Sequence, residues 1–164
     1  MNAEARRLYV AVVGASTATA DEERTAEEVG RLLAERGAIV VTGGLGGVMA
    51  AASRGARGAG GTTVGLLPGE DRSAANPWVQ VAIPTGMGEA RNALVVRASD
   101  AVIAVGGEFG TLSEVALALK LGRPVAGIGT WRIERDGMST DPLLRADDAL
   151  TAVGLVLERI ERAL

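Results

Sequence analysis

Apolar residues along the chain fall into short, nearly unbroken runs that alternate with longer mixed segments. Leu8–Val13 (LYVAVV) is almost wholly apolar, as expected for a strand buried on both faces of a parallel sheet. It ends in Gly14–Ser16. The segment TADEERTAEEVGRLLAERG then reads as a helix, opened by a Thr19/Glu22 capping box and stopped by Gly37. Ala38–Val41 is a second strand. It runs into TGGLGG (Thr42–Gly47) and an alanine-rich helix from Val48 to Ala59. Thr63–Leu67 forms a third strand, followed by PGEDRSAANPW, read as a surface loop in preference to a lid, and Val79–Ile83 a fourth. Met87–Ala98 reads as a helix, Ala101–Val105 as a strand, and Thr111–Leu121 as a helix stopped by Gly122. Val125–Ile128 is the last clear strand. The irregular segment GTWRIERDGMSTDP leads to a closing helix from Ala146, with Asp147 and Asp148 at its beginning.

Strands and helices that alternate along most of the chain, with glycine-bearing turns, predict an α/β protein. The expected fold is a single-domain, Rossmann-like, doubly wound sheet over residues 1–164, mostly parallel, with six or seven strands. No composition break or internal repeat divides the chain. Such sheets bind ligands at the carboxyl ends of their strands, near the point where strand order reverses. Glycine-bearing turns occur there at Gly14–Ser16, Gly43–Gly47 and Gly106–Gly110. Gathered at one sheet edge, their backbone N–H groups would face helix N-termini and favour an anion. A standard dinucleotide site is disfavoured. Neither G-x-x-x-x-G-K-[ST] nor a clean G-x-G-x-x-G is present, and no acidic residue ends the second strand.

Composition narrows the chemistry. The chain has no histidine and no cysteine, which removes thiolate nucleophiles, Ser-His-Asp arrangements and the usual zinc sites. We therefore expect no metal and no resident cofactor. Lys120 is the sole lysine, so proton chemistry near neutral pH falls to Asp, Glu, Tyr9 or Lys120. With a net charge of −3 and no basic block, nucleic-acid binding is not expected. No apolar stretch approaches the roughly 18 residues of a membrane span. The segment MNAEARR lacks the apolar core of a signal peptide, so the expected location is the cytoplasm.

One long stretch is more specific. GEARNALVVRASDAVIAVGGEFGTLSEVALALKLGRPV resembles the core signature of the Lonely Guy (LOG) family, once labelled lysine decarboxylases. That signature is an Arg-Lys pair followed by Pro-Gly-Gly-x-Gly-Thr-x-x-Glu. VVGAS, VTGGLGGVMAAASRGA and TVGLLPGE agree with it in order, so the resemblance spans roughly residues 8–128. It implies a Rossmann-like fold, a homo-oligomer (dimer or tetramer) and a phosphorylated small-molecule ligand. Two functions follow from it. One is hydrolysis of the N-glycosidic bond of nucleoside 5′-monophosphates. The other belongs to a branch of similar length that resembles molybdenum cofactor carrier proteins, which bind a phosphorylated pterin without known turnover.

By position, the resemblance assigns catalytic roles to Arg91 and Glu114. It assigns ligand binding to Gly14, Ser16, Gly43, Gly44, Gly46, Gly47, Met49, Asn92, Gly106, Gly107, Phe109, Gly110 and Thr111. Three positions depart from the signature: Asn92 replaces the lysine, Gly106 the proline and Glu108 a glycine. Glu108 places an extra carboxylate beside a phosphate turn. Asn92 and Glu108 lean towards the carrier, whereas Arg91 and Glu114 lean towards the enzyme. Decarboxylation through a lysine Schiff base is rejected, because Lys120 lies about 13 Å along its helix from Thr111. Thr111 and Glu114 also form a Thr-x-x-Glu spacing, so a capping box competes with a ligand role for both. Arg54 and Arg57 read as a solvated helix face, Asp100 as a helix–strand turn, and Trp131 as a packed side chain that could wall the pocket. The apolar face Asn92–Val96 is the candidate subunit contact.

Overall fold

The computed structural model describes residues 6–163. Residues 1–5, most of the segment considered as a leader, lie outside the described residues. The strands are β1 (Tyr9–Gly14), β2 (Ile39–Thr42), β3 (Thr63–Leu67), β4 (Val81–Pro84), β5 (Ala101–Val105), β6 (Val125–Ile128) and β7 (Leu144–Arg145). They form one sheet in the order β4-β3-β2-β1-β5-β6-β7, and every pairing is parallel. The helices are α1 (Ala20–Glu35), α2 (Val48–Gly58), α3 (Asn92–Arg97), α4 (Phe109–Lys120) and α5 (Ala149–Glu161). The chain winds outward from β1 to β4, then returns to the other side of β1 with β5. Strand order therefore reverses between β1 and β5, where Val10 pairs with Ala101 and Gly14 with Val105.

Period-two alternation in β1 fills both faces of the sheet. Val10 and Val12 pack with α1, α2 and α5, whereas Ala11 and Val13 pack with α3 and α4. The α1/α2 contact is unusually close. A Cβ at Gly30 would lie 2.0 Å from the Ala52 carbonyl oxygen, and one at Gly55 would lie 1.8 Å from that of Glu27. Arg54 donates to Glu27 across this contact at 2.7 Å and lies 5.2 Å from the Trp78 ring centroid. Arg54 is thus a strut between helices and loop as well as part of a half-exposed face, and Arg57 is exposed as expected.

The expected fold class is the observed one, with differences at several element ends. β4 begins at Val81 instead of Val79. The Thr63 hydroxyl donates to the Trp78 carbonyl and accepts from the Gln80 N–H, holding that stretch off the ladder. The helix expected over Met87–Ala98 is a 3-10 turn, Gly88–Arg91, followed by the short α3. The two-residue strand β7 follows the segment expected to be irregular, in a stretch where no element was expected. The last helix starts at Ala149 because Asp148 accepts the Thr151 N–H at 2.7 Å. Asp100 is more than a turn residue, since its carboxylate accepts from the Tyr9 N–H and from Arg6. Among the described residues, no helix is long and apolar enough to cross a membrane.

Candidate ligand-binding site

A cavity of about 610 Å³ opens at the carboxyl ends of the strands, beside the β1/β5 reversal. The turn after β1, the turn after β2, the 3-10 turn ahead of α3 and the first turn of α4 build it. The helices around it differ from the rest at their N-termini. The Thr19 and Asp148 side chains cap α1 and α5, and the Thr19/Glu22 capping box is complete. The residues preceding α2 and α4, Gly47 and Glu108, make no side-chain cap. Val48 N–H is satisfied by the Ala15 carbonyl, but the first turn of α4 retains donors that side chains elsewhere would occupy.

This overturns one expectation about Thr111 and Glu114. They do not form a capping box, because α4 starts at Phe109, which makes Thr111 its third residue and Glu114 its sixth. Both are buried, at 3% and 8% exposure, and both line the cavity. Burial pushes the Glu114 carboxyl up to about 7, and the nearby Arg91 charge opposes the rise without cancelling it.

Arg91 is also buried, at 8% exposure. Its Nη1 donates to the Asn92 side-chain oxygen, and its Nη2 reaches the Gly43 carbonyl at a long 3.5 Å. Its Nε is buried without a partner. Burial pulls the guanidinium below its usual range, while the charges of Glu114 and Glu89 act in the opposite direction. A Cβ at Gly43 would stand 2.7 Å from Arg91 Nη2 and 2.8 Å from Met49 Sδ. The absent side chain at Gly43 is thus the space that the guanidinium occupies.

Gly14, Ser16, Gly43, Met49, Arg91, Asn92, Phe109, Gly110, Thr111 and Glu114 all line this cavity. Gly44, Gly46, Gly47, Gly106 and Gly107 are not among its lining residues. Gly44, Gly47 and Gly107 sit where neighbouring groups pack too closely for a side chain, whereas Gly46 is exposed and a Cβ there would meet only the Ser16 carbonyl oxygen at 3.1 Å. A Cβ at Gly47 would meet the Ala15 carbonyl oxygen at 2.2 Å, and one at Gly107 would meet Thr111 at 2.5 Å. Gly107 also has a φ of 105°, which other residues rarely adopt. Leu45, Pro68, Glu89 and Ser113 also line it and were not anticipated as site residues, and Val12, Val13 and Ala15 contribute from the end of β1 and the turn after it. Pro68 had a readable signal, since it directly follows β3 at the carboxyl edge. Glu108 lines the cavity as well, so Arg91 is the single cation there against Glu89, Glu108 and Glu114. Trp131 packs against the Phe109 ring and donates its indole N–H to the Glu108 carbonyl at 3.1 Å.

Residues 7–153 match the model of the SLOG cluster4 family. The chain belongs to that family. An uncharacterized protein of Archaeoglobus fulgidus is 44% identical to this SLOG chain over 121 residues, covering 74% of it and 80% of the relative. The molybdenum cofactor binding protein of Rippkaea orientalis superposes with a TM-score of 0.86 at 36% identity, covering 94% of this chain and 98% of that one. The molybdenum cofactor carrier protein of Chlamydomonas reinhardtii gives 0.83 at 33% identity, covering 96% and 99%. These neighbours agree with the sequence resemblance to the LOG-like proteins and to their carrier branch.

Proposed function

We propose that this chain binds a phosphorylated small molecule and carries it without turnover, with a phosphorylated pterin such as the molybdenum cofactor as cargo. The observation that carries the reading is Arg91. A buried guanidinium with an unpartnered Nε, set beside an uncapped helix N-terminus, suits a phosphate that supplies the missing acceptors. The two similar structures, a molybdenum cofactor binding protein and a molybdenum cofactor carrier protein, support the carrier over the hydrolase. Asn92 supports it too: its side-chain oxygen is engaged by Arg91, at the position where the LOG signature has a second cation.

Mass spectrometry of small molecules co-purifying with the protein tests this reading directly. The expected result is a phosphorylated pterin that is lost from Arg91→Ala. Phosphoribohydrolysis is the second reading, favoured by Glu114. A buried carboxyl near 7 beside a cation has the protonation balance of an acid–base group at neutral pH. Incubation with the common nucleoside monophosphates separates the two. Release of base by the wild type, slowed roughly 10²-fold in Glu114→Gln, establishes the hydrolase. No release from any of them, with normal ligand binding by Glu114→Gln, leaves the carrier.

Catalytic roles for Arg91 and Glu114 remain part of that second reading. A cytoplasmic location and a homo-oligomer belong to the proposal as well. The apolar face at Asn92–Val96 contributes less to a subunit contact than the sequence suggests, because Val95 and Val96 are buried in the chain's own core. Val81, Ile83 and Met87 are the large apolar residues left exposed in the neighbouring segment.

A further inference from the structure

Phe109 is 78% exposed, more than any other large apolar residue described, although it lines the cavity. Apolar aromatic surface of that kind, at the rim of a polar cavity, gains most by being covered. Its neighbour is held from two directions. The Trp131 indole N–H donates to the Glu108 carbonyl at 3.1 Å, and the Trp131 carbonyl accepts from Arg145 Nη2. Arg145 is itself paired with Asp141. The Phe109 and Trp131 ring centroids lie 5.3 Å apart at 40°, so Trp131 backs the phenyl ring while leaving most of it open.

We infer that Phe109, backed by Trp131, is a stacking platform for a planar heteroaromatic ring of the ligand. The inference rests on the phosphate reading of Arg91 and adds the opposite end of the molecule to it. Arg91 and the first turn of α4 take the phosphate, and the aromatic pair at the rim takes the ring. A cavity of about 610 Å³ is of the size that accommodates a nucleotide or a phosphorylated pterin. Because both rings are already positioned, stacking requires little ordering of the protein. A phenyl ring face carries no hydrogen-bonding group, which makes the platform selective for planarity rather than for one heterocycle.

Titration calorimetry with ribose 5-phosphate, AMP and FMN tests the two ends separately. AMP and FMN carry a phosphate and a ring, whereas ribose 5-phosphate carries only the phosphate. The expected result is tighter binding of AMP or FMN than of ribose 5-phosphate. In Phe109→Ala that ratio falls by roughly tenfold, the scale of one lost aromatic–base contact, and Phe109→Tyr restores it. Emission of Trp131, read in a Trp78→Phe background, should change on binding AMP or FMN and not on binding ribose 5-phosphate. If the three compounds bind alike, the platform is wrong and the phosphate reading stands. If Arg91→Ala binds all three as the wild type does, the phosphate reading falls; the platform survives only if Phe109→Ala still lowers the ratio. If none of the three binds, both readings fall. If Phe109→Ala converts an oligomer to a monomer in light scattering with the ratio unchanged, a second copy covers this ring and the platform is overturned.

Discussion

The contact between Gly43 and Arg91 sets the sharpest expectation at the scale of single residues. Gly43→Ala places a methyl group 2.7 Å from Arg91 Nη2. The guanidinium is the flexible partner, so it moves and the fold persists. Affinity for a phosphorylated ligand should drop by tenfold or more in calorimetry, with an unchanged far-ultraviolet circular dichroism spectrum. Glu114 gives a pH-dependent expectation. Its carboxyl sits at about 7 in the folded chain against 4.5 for an unperturbed glutamate, so the folded state holds that proton more tightly. The stabilisation it brings is complete below about pH 4.5 and is lost as the pH rises through about 7. Urea unfolding of the ligand-free wild type should therefore show a contribution of up to about 3 kcal/mol disappearing over that window. Glu114→Gln, which cannot ionise, should lack it. Sequence alone placed Arg91 and Glu114 as candidates through spacing and resemblance. It could not reveal that Asn92 is engaged by Arg91, because that depends on a guanidinium folded back into the space above Gly43.

At the scale of elements, the α1/α2 contact reverses an ordinary rule. Replacing a mid-helix glycine by alanine normally stabilises a helix by about 1 kcal/mol. At Gly30 the added methyl group would press on the Ala52 backbone, which cannot swing aside. Gly30→Ala should instead destabilise by about 2 kcal/mol or more, read as a lower urea midpoint. The cap on α1 behaves conventionally: Thr19→Ala should cost about 1 kcal/mol. These elements also show what was legible beforehand. Buried strands such as β1 and β5 are apolar throughout, and α1 carries a true capping box, so type and position were both readable. The start of α4 was not. Thr111 and Glu114 have capping-box spacing, but the turn at Gly106–Gly107 feeds an extended Glu108 straight into the helix, and the pair goes into the cavity wall. The two residues of β7 carry no periodicity at all. They become a strand only because β6 offers an unpaired edge.

At the scale of the whole molecule, the sheet leaves apolar side chains on one border. Val81 and Ile83 of β4 are 44% and 42% exposed, and Met87 follows them. If copies associate there, as proposed, light scattering at micromolar concentration should return the mass of at least two chains. Val81→Asp combined with Ile83→Asp should return one. The strand order has a different consequence, in the time domain of synthesis. β1 receives β2 early, within the first half of the chain, but its other neighbour β5 is about ninety residues downstream. Until β5 leaves the ribosome, β1 stays half-paired and the floor between them does not exist. Contacts of such long sequence separation form late and slowly. A nascent chain halted before residue 101 lacks β5 and the first turn of α4, so the cavity is incomplete, and on the carrier reading proposed above a ligand can enter only after synthesis has passed that point.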